Sequence, residues 1–215
     1  MKLRYFCCLL LLVSGVSCTT STFTSRDLYV SRDTPCLPGL ILDLDEEGFQ
    51  AVYRGARYVP AQDSSLYQPD FFVVRQSSRE RDARILCERI FIGNLIEPKA
   101  RPVGTLVITP VFMNLSNRAP VLTIGAAVSL GVLTVLGVPH GVYRMDVEYQ
   151  AEVYDADGLF VARYIGHGRA KRTVGLYYGG SDFTRTLHVE ATRLALDEIA
   201  GELRKDCAFL TDELK

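Results

Sequence analysis

The sequence predicts an α+β fold: an antiparallel meander sheet with two amphipathic helices packed on one face, plus an apolar segment inserted between strands. Three observations carry this expectation. Val142 to Tyr154 alternates apolar and polar residues throughout, two stretches with helical periodicity end near Leu95 and Lys205, and Ala119 to Pro139 holds no charged residue.

The elements follow in chain order. Leu40–Asp45 and Phe49–Arg54 flank Glu46-Glu47-Gly48, a spacing that predicts a β-hairpin within 39–59. Residues 60–70 carry Pro60, Ser64, Ser65, Pro69 and Asp70 and read as a loop, with Phe71–Val74 a short strand or an extended entry to the next element. Ser77 offers an N-cap and Glu80 the matching glutamate of a capping box, opening a helix that Gly93, Pro98 and Pro102 stop near Leu95. Gly104–Asn114 is rich in β-branched residues and reads as a strand, where Pro110 implies an edge or a bulge.

From Val142 to Tyr154, Tyr143, Met145, Val147, Tyr149, Ala151 and Val153 share one face; Arg144, Asp146, Glu148, Gln150 and Glu152 share the other. Asp155-Ala156-Asp157-Gly158 supplies the positive φ of a tight turn. The return strand runs from Leu159 through Ile165 and on toward Val174, with a break at Gly166 or Gly168. Ser181 or Asp182 then caps a helix to about Lys205, with Val189, Thr192, Leu196, Ile199 and Leu203 along its buried stripe.

Of 215 residues, 48% are hydrophobic, and 24 basic side chains stand against 25 acidic ones. The chain is thus globular in composition and lacks the basic excess that a dedicated nucleic-acid binder needs to neutralise phosphates, so no nucleic-acid partner is expected. Lys2 and Arg4 precede an apolar run from Phe6 through Val13 and small residues up to Ser17, the layout of a secretory signal peptide. Val13-Ser14-Gly15-Val16-Ser17-Cys18 resembles a bacterial lipobox, with Gly15 where leucine is usual. The resemblance implies that Cys18 becomes the lipidated first residue. Thr19 after it carries no acidic retention signal, so it implies an outer membrane lipoprotein facing the periplasm, with a secreted or inner membrane protein as the alternative. Removing residues 1–17 takes two basic residues and no acid, which leaves a formal charge of −3.

The expected organisation is a signal peptide over 1–17, a lipidated N-terminus and flexible tether over 18–35, one α+β domain over 36–207 and a C-terminal tail over 208–215. Among the mature cysteines, Cys36, Cys87 and Cys207 fit no zinc spacing. A Cys87–Cys207 bridge joining the two helices competes with buried, inert thiols.

The uncharged segment 119–139 admits three readings. It is a buried apolar element covering the sheet, a loop that dips into the bilayer beside the lipid, or a transmembrane helix, for which its length suffices. Glycines and flanking prolines weigh against the last. As a membrane or partner contact, its candidate residues are Leu122, Ile124, Val128, Leu130, Leu133 and Leu136.

A strand, an uncharged Leu/Gly-rich segment ending in Gly137-Val138-Pro139, an alternating strand, an Asp155-x-x-Gly158 turn and a C-terminal amphipathic helix together resemble small bacterial cell-envelope lipoproteins of unassigned function, over residues 70–207. The same order is more distantly similar to periplasmic auxiliary lipoproteins that assist lipopolysaccharide assembly or transport. The resemblance implies a non-catalytic accessory or binding module within an envelope protein complex, and it carries over no catalytic residue.

The residues themselves point the same way. His140, His167 and His188 stand apart from one another and from ligand-spaced Cys, Asp or Glu, so no metal is expected. Asp43–Gly48 and Asp155–Gly158 stop short of a calcium loop. Gly166-His167-Gly168 lacks the third glycine of a phosphate cradle, and there is no Gly-x-Ser-x-Gly elbow, so neither a cofactor nor a catalytic residue is expected. Arg163, Arg169, Lys171 and Arg172 make a basic stretch that suits either a solvated strand face or lipid phosphates. A small envelope enzyme would require a pocket gathering His167 or His188 with Asp or Cys. A membrane-inserted structural protein would use 119–139 to assemble.

Overall fold

The computed structural model describes residues 28, 34–55, 76–92, 94–97, 101–129, 132–139, 141–175 and 182–214, leaving aside the side chains at 76, 77, 126, 127, 133 and 134. Cys18, the 60–70 loop and the Phe71–Val74 strand lie outside what is described; Ser77, expected as the N-cap, falls inside a helix that already includes Gln76, and its side chain is not described. The elements are β1 (Ile41–Leu44), α1 (Glu46–Tyr53), α2 (Gln76–Phe91), β2 (Gly104–Asn117), α3 (Pro120–Val128), α4 (Val132–Val135), β3 (Gly141–Asp155), β4 (Phe160–Val174), α5 (Phe183–Lys205) and α6 (Cys207–Glu213).

The sheet has the order β1-β2-β3-β4. β2, β3 and β4 form the expected antiparallel meander, and β1 joins its edge in parallel with β2. Along β3 the alternation is reproduced: Met145, Val147, Tyr149, Ala151 and Val153 are buried under the helices. The β3–β4 turn is closed by Asp155, whose Oδ1 accepts from Asp157 N at 2.9 Å and Leu159 N at 2.8 Å, with Gly158 at φ 79°. In β2 the register shifts between Pro110 and Phe112, so the proline sits at a bulge of an inner strand.

The 39–59 hairpin is corrected. Only β1 is a strand, and the second half is helix α1. Asp45 caps it by accepting from Gly48 N at 3.2 Å, Glu46 and Glu47 favour its first turn, and Phe49, Val52 and Tyr53 lie at helical spacing on the buried side. α2 ends at Phe91 rather than Leu95, after which Cys36 N and Leu37 N both donate to Leu95 O. The break expected in β4 does not occur. A Cβ at Gly166 or Gly168 would overlap the carbonyl of Ala195 or Ala191, so these glycines let α5 lie directly on an unbroken strand.

α5 lies over β3 and β4, α1 covers β2, and α2 packs against both helices on the same face. Phe49, Leu86, Phe91, Ile108, Tyr149 and Leu196 meet in this single core. The C-terminal tail is also corrected: 207–213 is helical, and Leu210 and Leu214 are buried, Leu214 beside Gly104.

The Cys87–Cys207 pairing is corrected as well. Cys207 bonds Cys36, with Cα atoms 6.0 Å apart, while Cys87 is a fully buried free thiol. The reason is topological: the Cys36 and Leu37 amides hold that strand segment beside the end of α2, where α5 also ends, whereas Cys87 faces inward a turn earlier.

The body therefore has two distinct ends. At one, Asn117, Tyr143 and Arg172 share a row, and the Tyr143 ring meets Phe183 at the start of α5, with centroids 4.8 Å apart. α3 and α4 project there. At the other, Gly104 pairs with Asp155, and the disulfide, α6 and the β3–β4 turn come together.

Candidate membrane or partner contact surface

The uncharged segment enters its first helix from a capped corner. Asn117 Oδ1 accepts from Ala119 N at 3.0 Å and Asn117 Nδ2 donates to Thr123 Oγ1 at 3.0 Å, while Pro120 takes the first helical position, where a missing N–H costs nothing. Arg118 N donates to Val142 O at 2.7 Å, holding the exit of β2 against the start of β3. After α4, Gly137 at φ 87° takes the left-handed conformation that ends a helix, and Pro139 follows.

The resulting pair of short helices carries an exposed apolar surface. Val121, Val128 and Leu136 are 75%, 79% and 74% exposed, and Ile124, Val132 and Val135 are each more than half exposed. Six large aliphatic side chains within one short segment form the kind of contiguous patch that marks an interaction site. Of the residues singled out from sequence, Ile124, Val128 and Leu136 lie on this surface and Leu122 is half-buried. Leu130 is outside the described residues and the Leu133 side chain is not described. Val121, Val132 and Val135 join the surface unannounced, because a segment without a charged residue, with only Thr123, Ser129 and Thr134 among its apolar side chains, does not mark its solvent side.

Two of the readings of 119–139 are corrected by this geometry. The segment does not cover the sheet with the large side chains described, since Val121, Ile124, Val128, Val132, Val135 and Leu136 face solvent. Nor is it one spanning helix, since α3 and α4 are separate and short, and no helix among the described residues is long and apolar enough to cross a membrane.

The basic stretch of β4 divides. Arg163 pairs with Glu152 at 2.7 Å, and Arg169 pairs with Asp146 at 2.8 Å, which Arg144 also binds at 2.7 Å. The two arginines hold the Asp146 carboxyl below its ordinary range against the opposing effect of partial burial. Lys171 and Arg172 have no acidic partner among the described residues, and neither has Arg118.

Among the described residues, no hydrogen bond or ion pair joins His167 or His188 to an Asp or Cys. His167 is exposed, its Nδ1 3.8 Å from Glu148, and its backbone N–H donates to Glu198 Oε2 at 2.7 Å. His140 lies outside the described residues. His188 is fully buried on α5, with Nε2 2.8 Å from Tyr53 Oη and 3.3 Å from Thr192 Oγ1, and Tyr53 Oη is 2.8 Å from Tyr149 Oη. Burial, helped by Arg79 and Arg185, pushes the imidazole down to about 3, so it is neutral. Burial likewise pushes the Tyr53, Tyr149 and Cys87 groups up, so all three stay protonated. This is a polar knot inside the core, closed to solvent, and sequence inspection missed its tyrosines because each sits at an apolar-face position. No group of three or more His, Cys, Asp or Glu among the described residues is placed to hold a metal ion.

No family model matches the chain, and no curated protein matches its sequence. Among solved structures, a protein of Xanthomonas campestris from the DUF330 family is similar, with 9% sequence identity and a TM-score of 0.35 over 83% of this chain and 96% of that one.

Proposed function

We propose that the chain is a lipid-anchored, non-catalytic accessory or binding module of an envelope assembly or transport complex. It is held through Cys18 on the periplasmic side of the outer membrane and engages its counterpart through residues 119–139. The observation that carries this reading is the solvent-facing apolar surface of α3 and α4, raised from the end of a sheet whose core is otherwise closed. Keeping six large aliphatic side chains in water forgoes roughly 1 kcal/mol or more of transfer energy for each, which a counterpart recovers on contact. The Cys36–Cys207 disulfide supports an oxidising compartment.

The test is membrane partition of the wild type and Cys18→Ala, each also with 119–139 replaced by a short polar linker, read by carbonate extraction and acyl labelling. The reading expects Cys18→Ala to abolish labelling and weaken attachment, and the linker to remove the remaining association with envelope material. Unchanged labelling in Cys18→Ala, or an association indifferent to the linker, overturns it.

A further inference from the structure

We infer that the α3–α4 surface docks into the interface of an anionic lipid bilayer, with Arg118, Lys171 and Arg172, at the end of the sheet from which α3 starts, meeting its phosphate headgroups. The inference rests on the reading of 119–139 as the contact element and names what that element contacts.

The argument is one of charge placement. Ser116, Arg144 and Lys171 share one row of the sheet, and Asn117, Tyr143 and Arg172 share the last row before α3, with Arg118 the next residue along the chain. Farther from that end the outer-face cations are compensated, Arg163 by Glu152 and Arg169 by Asp146. At the end itself the acids are few among the described residues. Asp146 lies between Arg144 and Arg169, Asp82 forms a bidentate pair with Arg185 at 2.6 and 2.9 Å, and Asp182 stands at the start of α5. Arg118, Lys171 and Arg172 are left in excess, in a chain whose overall formal charge is −1. An apolar surface on short helices, flanked by cations and free of charge within, matches the layered chemistry of a membrane interface: acyl chains under a sheet of phosphates.

The chain contains no tryptophan, so a single one reports its own surroundings. Leu136→Trp places the probe on the apolar surface, and Leu159→Trp places it at the opposite end of the sheet; both positions are exposed, 74% and 66%, and neither change disturbs the core. The full chain carrying Cys18→Ala, so that no acyl group contributes, is mixed with vesicles of phosphatidylcholine alone or of phosphatidylcholine with phosphatidylglycerol, each with brominated acyl chains. The same chain with 119–139 replaced by a polar linker measures the pull of the N-terminal apolar run.

The expected result is blue-shifted, bromine-quenched emission from the probe at 136 in anionic vesicles, none from the probe at 159, and weak quenching in phosphatidylcholine. Replacing Arg118, Lys171 and Arg172 by glutamine should weaken partition into anionic vesicles on the order of a hundredfold at low salt. Equal quenching in both vesicle types overturns the recognition of anionic lipid. No quenching at 136 in either overturns membrane docking altogether. If the linker still removes envelope association in that case, the contact-element reading stands and its counterpart is a protein; if the linker has no effect, both readings fall.

Discussion

The Tyr53 hydroxyl, at the end of a helix the sequence disguised as a strand, sits 2.8 Å from His188 Nε2 in the floor of the core. Because burial keeps His188 neutral, the unfolded chain binds a proton near pH 6.5 that the folded one refuses until about pH 3. The folded pKa is depressed, so this contribution is fully present above pH 6.5 and is lost as pH falls toward 3. Denaturant titrations at pH 7 and pH 5 should show the wild type losing about 2 kcal/mol more than His188→Gln. Parallel losses in the two proteins would mean that the imidazole already titrates normally in the fold.

Gly168→Ala should destabilise by about 1–3 kcal/mol, because the new methyl group meets the Ala191 carbonyl and the Val147 side chain and α5 must lift off the sheet. Gly201→Ala, on the same helix with open space around it, should be neutral or stabilise by up to about 1 kcal/mol. Thermal melts of the two variants decide whether α5 lies as close to β4 as the geometry requires.

Cys36→Ala and Cys207→Ala should cost the same, about 2–5 kcal/mol, since either one opens a loop of 171 residues. Peptide mapping without reductant should recover the 36–207 link. Iodoacetamide should leave Cys87 unmodified in the folded protein and label it after denaturation, because the buried thiol is held protonated. Native labelling of Cys87 would contradict this packing.

Ile124→Ser with Val128→Ser should change folding stability by no more than about 0.5 kcal/mol, as both side chains face solvent. Association with envelope material should nonetheless drop sharply. A large loss of stability in urea titration would show that these residues are buried in the folded protein.

How far the sequence reveals this fold depends on contrast between residues. β3 was legible because charged residues alternate with apolar ones along it, and α5 because its apolar stripe is bordered by Arg193, Asp197 and Arg204. α1 was not, because Phe49, Ala51 and Tyr53 satisfy the period of a strand as well as Phe49, Val52 and Tyr53 satisfy that of a helix, and Glu46-Glu47-Gly48 has turn chemistry. Asp45 as a cap was the signal that separates the two. The disulfide partner of Cys207 depends on where Leu95 anchors residues 36 and 37, a contact no local pattern records. The apolar surface was legible as a segment and not as a face, since composition located it and only the fold chose which of its side chains meet water.

The separation of the disulfide from the apolar helices bears on posture. Leu28, whose carbonyl accepts from Arg89 at 2.8 Å, is tied down near the disulfide end. On the proposed lipidation of Cys18, ten residues lead from the lipid to that point, a reach of at most about 36 Å when fully extended. β3 alone has fifteen residues and spans about 48 Å between the two ends. With both the lipid and the α3–α4 tip in the same leaflet, the leash is shorter than the body, so the molecule cannot stand on its tip. On that proposal it reclines, its long axis tilted toward the membrane plane, leaving one flank of the sheet or the helical layer turned outward for whatever passes above it.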